Sequence, residues 1–591
     1  MLARHRWTLA ATLLVALGYV ASLAVMPKHV FWMPDEGAKL FELAAVGLSW
    51  RDGVTYRIPF AGQRLLPGNE FLPGFDVFPE PSTAPNGQLY LNFDNPVIFP
   101  LLSKPLFHLL GPLGLYVVPL CCGCLVALLS GVLASWFVPR LAPAAVLLVG
   151  FATPVWFYSV VFWEHTLATL FALLAVCALV RAPLRLEAIA VALPALLFAS
   201  MLRAEMPALG AALGLAWVAV LVNARRAPGG AAGGSGAPRW LGGWRLAALS
   251  LAASAGLGVF LWFSLTARHR SLLRVVPERL AQALGGLEHV PRGLVEVFVN
   301  SQTLGPPVSP AWRAAAVAAL VLPMVAALLG SAPRRALLAC SALVLMLACS
   351  AALVVTGEPY RGLHGLFPVA PFLILWPLAL RGAWRRHDAR RLMLGIAALA
   401  NLALCFGALA ITYMHQGVLD VGMQWGQRYL LTAYPMLTVL ALIGLRALWA
   451  AQPAAWTRTA LVSLFTLLAV AGVGLEARGL RMLYGTRSVM AKWDAAMRAE
   501  GPVVTTVWWI VPAVADLYLS HDMYFTWKTG MAHWVERARQ QGISSFTLAH
   551  TEPLGDAQLD APGLTRLPDG ARTITGGLLL TRFRIDPLSP P

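Results

Sequence analysis

Ionisable residues recur at the edges of long apolar stretches in this chain, and their types and spacing could do chemistry. Asp35 and Glu36 are adjacent in Met-Pro-Asp-Glu-Gly-Ala-Lys at 33–39. Glu164 and His165 are adjacent in Phe-Trp-Glu-His-Thr-Leu-Ala at 162–168. Arg203 and Glu205 share the segment Met-Leu-Arg-Ala-Glu-Met-Pro at 201–207. Arg361 lies in 358–368 with His364, and Arg428 lies in 423–431 between Trp425 and Tyr429, each arginine near a glycine. Charge at a membrane edge is costly, so each of these is a functional candidate.

The acid pair could supply a general base, a carboxylate held within hydrogen-bond reach of an acceptor hydroxyl. The plainer alternative is a pair of helix-start acids behind Pro34, favoured by the macrodipole. Glu164 beside His165 could bind a sugar hydroxyl, hold a divalent ion, or pair with an arginine from another loop. Arg203 and Glu205 could be snorkelling charges that pair with each other, or Arg203 could be a phosphate ligand. Arg361 and Arg428 offer bidentate forks suited to phosphate, and glycine lets a ligand approach the backbone closely. The plainer alternative for both is an ordinary loop turn. Aromatics at 156–163 fit an interfacial belt, which leaves the Glu-His pair unexplained.

The elements that must position these residues are mainly membrane helices. The chain has 591 residues, 58% of them hydrophobic and only 12% charged, which excludes a soluble enzyme. Its apolar blocks predict a polytopic α-helical membrane protein with about 13 spans. They are placed at 8–26, 113–135, 142–157, 165–181, 186–202, 206–222, 246–266, 312–330, 335–356, 364–380, 392–413, 429–449 and 458–475. The first follows Arg4, His5 and Arg6, so a cleaved signal peptide competes with a span there. The net charge is +17, yet many bases sit in short gaps between spans, which argues for topology and against nucleic acid.

Arginines at 181, 185, 225, 226, 239, 245, 334, 335, 381, 385, 386, 390 and 391 fall on one side if the N-terminus is inside. The positive-inside rule then puts the candidate residues and the C-terminus outside. A domain at 1–475 includes a long outside loop, 27–112, whose last part, 97–110, reads as an interfacial helix. Residues 227–238 read as a flexible cytoplasmic linker. Residues 476–591 return to soluble composition and predict a small extracytoplasmic α/β domain, with strands at 503–509, 544–549 and 577–585 and helical periodicity over 512–541. Trp508 and Trp509 read as strand-core aromatics rather than a glycan platform. The seven cysteines lie inside apolar blocks, which argues against a disulfide framework or a zinc site.

Taken together, the motifs resemble the glycosyltransferase-C superfamily, specifically the relatives of protein O-mannosyltransferases and lipid A aminoarabinose transferases. Asp35 and Glu36 match the family's Asp-Glu pair in the first outside loop, and Glu164 with His165 matches its second acidic motif. Arg-Ala-Glu at 203–205 is similar to Arg-Pro-Glu, Trp-Gly-Gln-Arg-Tyr at 425–429 to Trp-Gly-Pro-Arg-Tyr, and Gly-Leu-Phe-Pro at 365–368 to a Gly-Leu-Phe segment. The departures are Ala204 and Gln427 in place of prolines, and Phe-Asp-Asn-Pro at 93–96 where many relatives have His-Pro-Pro.

The resemblance implies a membrane glycosyltransferase that moves a sugar from a polyprenyl-phosphate carrier to a hydroxyl acceptor outside a bacterial inner membrane. Asp35, aided by Glu36, would be catalytic. Glu164 and His165 would contact substrate or a metal. Arg203, Arg361 or Arg428 would hold the lipid phosphate, and Glu205, His364, Trp425 and Tyr429 would contact donor or acceptor. Direct attack on the anomeric carbon would invert it. No cofactor is required, and a divalent cation near Asp35 and Glu164 is compatible but not implied. The expected partners are the lipid-linked sugar, membrane lipid and an acceptor that is lipid, glycan or protein. A lipid or glycan transporter or flippase is the alternative, since membrane charges also mark substrate pathways. Against it stand the lack of an internal repeat and the one-sided charges.

Overall fold

The structure, a computed structural model, describes residues 2–49, 53–56, 60–64, 80–83, 89–92, 97–203, 205–225, 310–329, 331–355, 365–381, 383, 386–416, 428–452, 454–552, 561 and 563–587. The expected span at 246–266, the linker at 227–238 and the segment 93–96 lie outside these residues. Six described helices are long and apolar enough to cross a membrane: Arg6–Val25, Ile98–Ser135, Met206–Ala224, Ala332–Ala351, Ala433–Ala451 and Ala455–Arg498. Shorter apolar helices cover Pro139–Phe151, His165–Arg181, Leu186–Leu202, Ala314–Leu328 and Pro371–Leu380.

The first helix, Leu2–Val25, shows how composition sets its environment. Leu9, Leu13, Leu14, Leu17 and Val20 are each at least half exposed, whereas Ala11, Val15, Tyr19 and Leu23 are buried. An exposed apolar stripe of that length belongs against lipid, and the opposite face packs on Ala127 and Val146. Hydroxyls in this half of the chain turn back on their own helices. Ser130 donates to the Val126 carbonyl (2.7 Å), Thr153 to Val149 (2.7 Å) and Thr438 to Tyr434 (2.8 Å), which satisfies polar groups where water is absent.

The helices His165–Arg181 and Leu186–Leu202 fall where the apolar blocks place them. Three expected spans differ. The block at 142–157 breaks after the helix Ala142–Phe151 and resumes as a short helix, Val155–Ser159. The block at 364–380 forms a short helix, Leu366–Val369, followed by a ten-residue 3-10 helix, Pro371–Leu380. Pro371 sits at the first position of the 3-10 helix, where its missing N–H costs nothing, and Pro377 lies inside it. The block at 458–475 is the start of a 44-residue helix, Ala455–Arg498, that runs through Glu476 without a break.

The chain divides into two compact units. One comprises residues 1–21, 119–160 and 164–480, and the other residues 22–118, 161–163 and 481–591. The second unit contains the helix Pro34–Ala45, the helix Ile98–Leu110 expected at the interface, and two antiparallel pairs. These are β1 (Val46–Ser49) with β2 (Gly53–Tyr56), and β3 (Glu80–Thr83) with β4 (Leu89–Asn92).

Its C-terminal part is a five-stranded sheet of β5 (Val503–Thr505), β6 (Met523–Phe525), β7 (Ser545–His550), β8 (Leu564–Ile574) and β9 (Leu578–Ile585), in the order β6-β5-β7-β9-β8. β5 pairs parallel with β6 and β7, while β9 runs antiparallel to β7 and β8. Helix Met531–Gln540 covers one face, with Trp534, Met531 and Val535 packed on Val504, Phe546, Leu548 and Phe583. The expected helical stretch at 512–541 is therefore interrupted by β6. β8 was not expected, because Pro568, Asp569 and Gly570 spell a turn in its middle; the strand absorbs them as a register shift between Arg566 and Ala571.

Candidate functional site

In the first unit, three helix termini bring the candidate residues together. Glu164 caps the start of His165–Arg181, and its carbonyl accepts the Ala168 N–H at 2.9 Å. Arg203 ends Leu186–Leu202 in an extended conformation (φ −145°, ψ 131°). That turns its side chain out of the helix, where its guanidinium meets two carboxylates. Nη1 donates to Glu164 Oε1 at 3.0 Å, and Nε donates to Glu205 Oε1 at 2.9 Å.

The same guanidinium lies 5.3 Å from the ring centroid of Tyr429, and the Arg428 guanidinium lies 5.0 Å from that ring. Arg428 also donates to the Tyr429 hydroxyl at 3.0 Å. Two cations thus share one aromatic ring, a favourable contact in a partly desolvated place. Thr432 and Met206 touch at 4.0 Å between the hydroxyl and the sulfur, tying the turn at 203–206 to the start of Ala433–Ala451.

Glu164 is 1% exposed at its side chain, Glu205 10% and Arg203 16%, so the pairing is a buried one and not a surface ion pair. Burial pulls the Arg203 guanidinium down, but Glu205, Glu164 and Tyr429 outweigh it and hold it above its ordinary value. His165 is buried with Nδ1 3.8 Å from Glu164 Oε1, and its ring stacks on Tyr158 at 5.2 Å and 22°. Of the uses considered for Glu164, pairing with an arginine of another loop is what the structure places there. Arg203 likewise pairs with Glu205, and with Glu164 as well.

In the second unit, Asp35 and Glu36 occupy the first turn of Pro34–Ala45, and their surroundings differ. Asp35 is partly exposed. Glu36 is fully buried, and Oε1 accepts from Arg487 Nη2 at 2.7 Å and from the Phe162 N–H at 2.9 Å. Oε2 accepts the Trp32 N–H at 2.8 Å, a third-position Glu reaching back over its helix start.

The Arg487 guanidinium lies 4.9 Å from the Tyr116 ring centroid, and Nη1 is 3.9 Å from the Met26 sulfur. Trp32, whose own N–H is one of the two backbone donors, and Trp163, next to the other, meet at 6.1 Å between ring centroids. Directly after Glu36, Gly37 packs on the helix Ile510–Ala513, and a Cβ there would overlap the Pro512 carbonyl. The Phe31 N–H donates to the Ala513 carbonyl at 2.9 Å.

Among solved structures, the chain is similar to that of ArnT from Cupriavidus metallidurans in the apo state. The match has 13% identity, covers 98% of each chain and has a TM-score of 0.48. No protein-family description and no curated protein matches the chain.

Of the residues singled out in the sequence, Glu164, His165, Arg203, Glu205, Arg428 and Tyr429 form one cluster in the first unit. Asp35 and Glu36 belong to the second. Arg361, His364 and Trp425 lie outside the described residues. Among the described residues, no three His, Cys, Asp or Glu side chains gather as a metal-binding group. Sequence reasoning missed Arg487, which lies 451 residues from its partner Glu36. A lone arginine beyond the last apolar block resembles any other surface base, so its local sequence carries no signal of that role.

Proposed function

We propose that this chain is an integral-membrane glycosyltransferase that moves a sugar from a polyprenyl-phosphate carrier to a hydroxyl acceptor on the outer side of the membrane, with inversion. The observation that carries this reading is the gathering of Glu164, Arg203, Glu205, Arg428 and Tyr429, the last two more than 200 residues along the chain from the others, at the ends of three apolar helices. That composition suits a charged headgroup whose lipid tail lies along apolar helices. The motif resemblance supports the same chemistry.

In this reaction the Asp35 carboxylate takes the proton of the acceptor hydroxyl, and the acceptor oxygen forms a bond to the anomeric carbon. The bond from that carbon to the phosphate oxygen breaks, its electron pair staying on the phosphate, and polyprenyl phosphate leaves. Charge grows on the phosphate as the bond breaks, so a guanidinium there lowers the barrier beyond what it contributes to binding. Arg428 is the proposed holder of the phosphate, and Arg203, which pairs with two carboxylates, is the competing candidate. Glu36, fully buried with both oxygens already accepting, is not offered to an acceptor hydroxyl and serves placement. A divalent cation remains compatible with the step.

The test is purified protein incubated with a panel of polyprenyl-phosphate sugars and hydroxyl acceptors. Transfer from at least one donor, with release of polyprenyl phosphate and an inverted product, is expected. If no donor reacts and the protein instead moves a lipid-linked sugar across a vesicle bilayer, the transporter alternative replaces this reading.

A further inference from the structure

We infer that Arg487 is a positioning residue for Asp35, acting through Glu36. The inference rests on the glycosyltransferase reading only for its kinetic consequence. Glu36 is the next residue after Asp35 in the first turn of Pro34–Ala45, so whatever fixes the Glu36 side chain fixes the backbone that carries the Asp35 carboxylate.

Three donors from separate parts of the chain converge on that one carboxylate: the Arg487 guanidinium at 2.7 Å, the Trp32 N–H at 2.8 Å and the Phe162 N–H at 2.9 Å. Both side chains of the ion pair are fully buried. Arg487 is itself held from the far side by the Tyr116 ring. On the other flank of Asp35, Gly37 abuts the Pro512 carbonyl, so the helix start is clamped on both sides of it.

A fork is needed because one charge must meet Glu36 while the guanidinium also stands over the Tyr116 ring, and Arg supplies both where a point charge supplies one. The buried pair could instead serve stability alone. A purely structural pair, replaced by neutral residues of similar size, would leave Asp35 where it is. Placement within about an ångström matters for proton transfer, so a loosened helix start lowers turnover without weakening donor binding.

The experiment compares Glu36→Gln/Arg487→Met, which removes both charges together, and Arg487→Lys, which keeps the charge, with wild type in detergent. Two readouts are taken. The first is independent of function: the rate at which a thiol reagent modifies Asp35→Cys in each background. The expected result is a severalfold change in that rate for the double variant and a smaller one for Arg487→Lys.

The second readout is turnover of a polyprenyl-phosphate sugar by the variants that retain Asp35. The kcat of the double variant should fall at least tenfold while KM for the donor stays within about threefold, with partial recovery in Arg487→Lys. An unchanged labelling rate overturns the positioning role, and so does wild-type kcat in the double variant. If the double variant does not fold, Arg487→Lys decides in the same way: wild-type labelling and kcat overturn the role, and an altered labelling rate with reduced kcat supports it. A changed labelling rate with no turnover in wild type supports the positioning and removes the glycosyltransferase reading instead.

Discussion

At the scale of single residues, two neighbouring acids stand in different surroundings, Asp35 partly exposed and Glu36 buried on three donors. Asp35→Asn keeps size and removes basicity, so transfer should fall about a hundredfold or more while the unfolding midpoint stays near wild type. Glu36→Gln should do the reverse in kind. It leaves the buried Arg487 guanidinium without its counter-charge, at a cost of about 3–5 kcal/mol, read as a lowered midpoint in detergent. The acid pair was legible because two carboxylates at a membrane edge need a reason. Their different fates were not, because the deciding group lies 451 residues away. Arg428→Ala should abolish most turnover and Arg428→Lys should recover part of it, since Lys lacks the fork. Normal turnover by Arg428→Ala, with failure of Arg203→Ala, would move the phosphate site to the turn at 201–207.

At the scale of elements, the helix Pro34–Ala45 is placed by a close approach that only glycine permits. Gly37→Ala puts a methyl group into the Pro512 carbonyl, and the helix must shift or Ile510–Ala513 must yield. A loss of about 1–3 kcal/mol is expected in thermal unfolding. A midpoint equal to wild type would show that the contact is slack. In the sheet, Glu500 reports on pH. Burial pushes its carboxyl up, but hydrogen bonds from Arg582 and Thr547, with the charges of Arg582 and Arg572, hold it below the ordinary range. A depressed folded value means the stabilisation is complete above the unfolded value of about 4.3 and is lost as pH falls through the folded one. Both arginines are more than half exposed, so the effect should be about 1 kcal/mol or less. Unfolding midpoints measured downward from about pH 5 should fall more steeply for wild type than for Glu500→Gln. Among these elements, membrane helices were legible from apolar runs of the right length. The interruptions were less so: the 3-10 winding of Pro371–Leu380 leaves the hydropathy of the apolar run unchanged, and the Pro-Asp-Gly inside β8 reads as a turn until a partner strand absorbs it.

At the scale of the whole molecule, every functional assignment depends on which side of the membrane the chain ends face. The one-sided arginines lead to the expectation that the N-terminus lies inside and the sheet outside. Glu552 is exposed beside β7, and Arg181 is exposed at the end of its helix. In intact cells a membrane-impermeant thiol reagent should modify Glu552→Cys and should reach Arg181→Cys only after permeabilisation. The opposite pattern would put Asp35 and the acid-arginine cluster on the side where the bases lie and remove the outward site. The general architecture was legible from composition, because 58% apolar residues in long blocks leave few alternatives to a polytopic helical protein. The division into two compact units was not. The second unit draws on three separated stretches, one of them only residues 161–163, and no local pattern marks so short a contribution.

The contact between Trp32 and Trp163 gives this chain a built-in optical gauge. Their indoles sit 6.1 Å apart at 53°, close enough for their excited states to couple, and each belongs to a segment whose backbone N–H is anchored on Glu36. With 21 tryptophans in the chain, emission intensity would average this pair away. A chiral, coupled pair nevertheless leaves a signed band in near-ultraviolet circular dichroism, and subtracting the spectrum of Trp163→Phe would isolate it. Any ligand, lipid or substitution that loosens the Glu36 anchorage should shrink that difference band, so the state of the helix start can be followed in detergent or nanodiscs with no label attached.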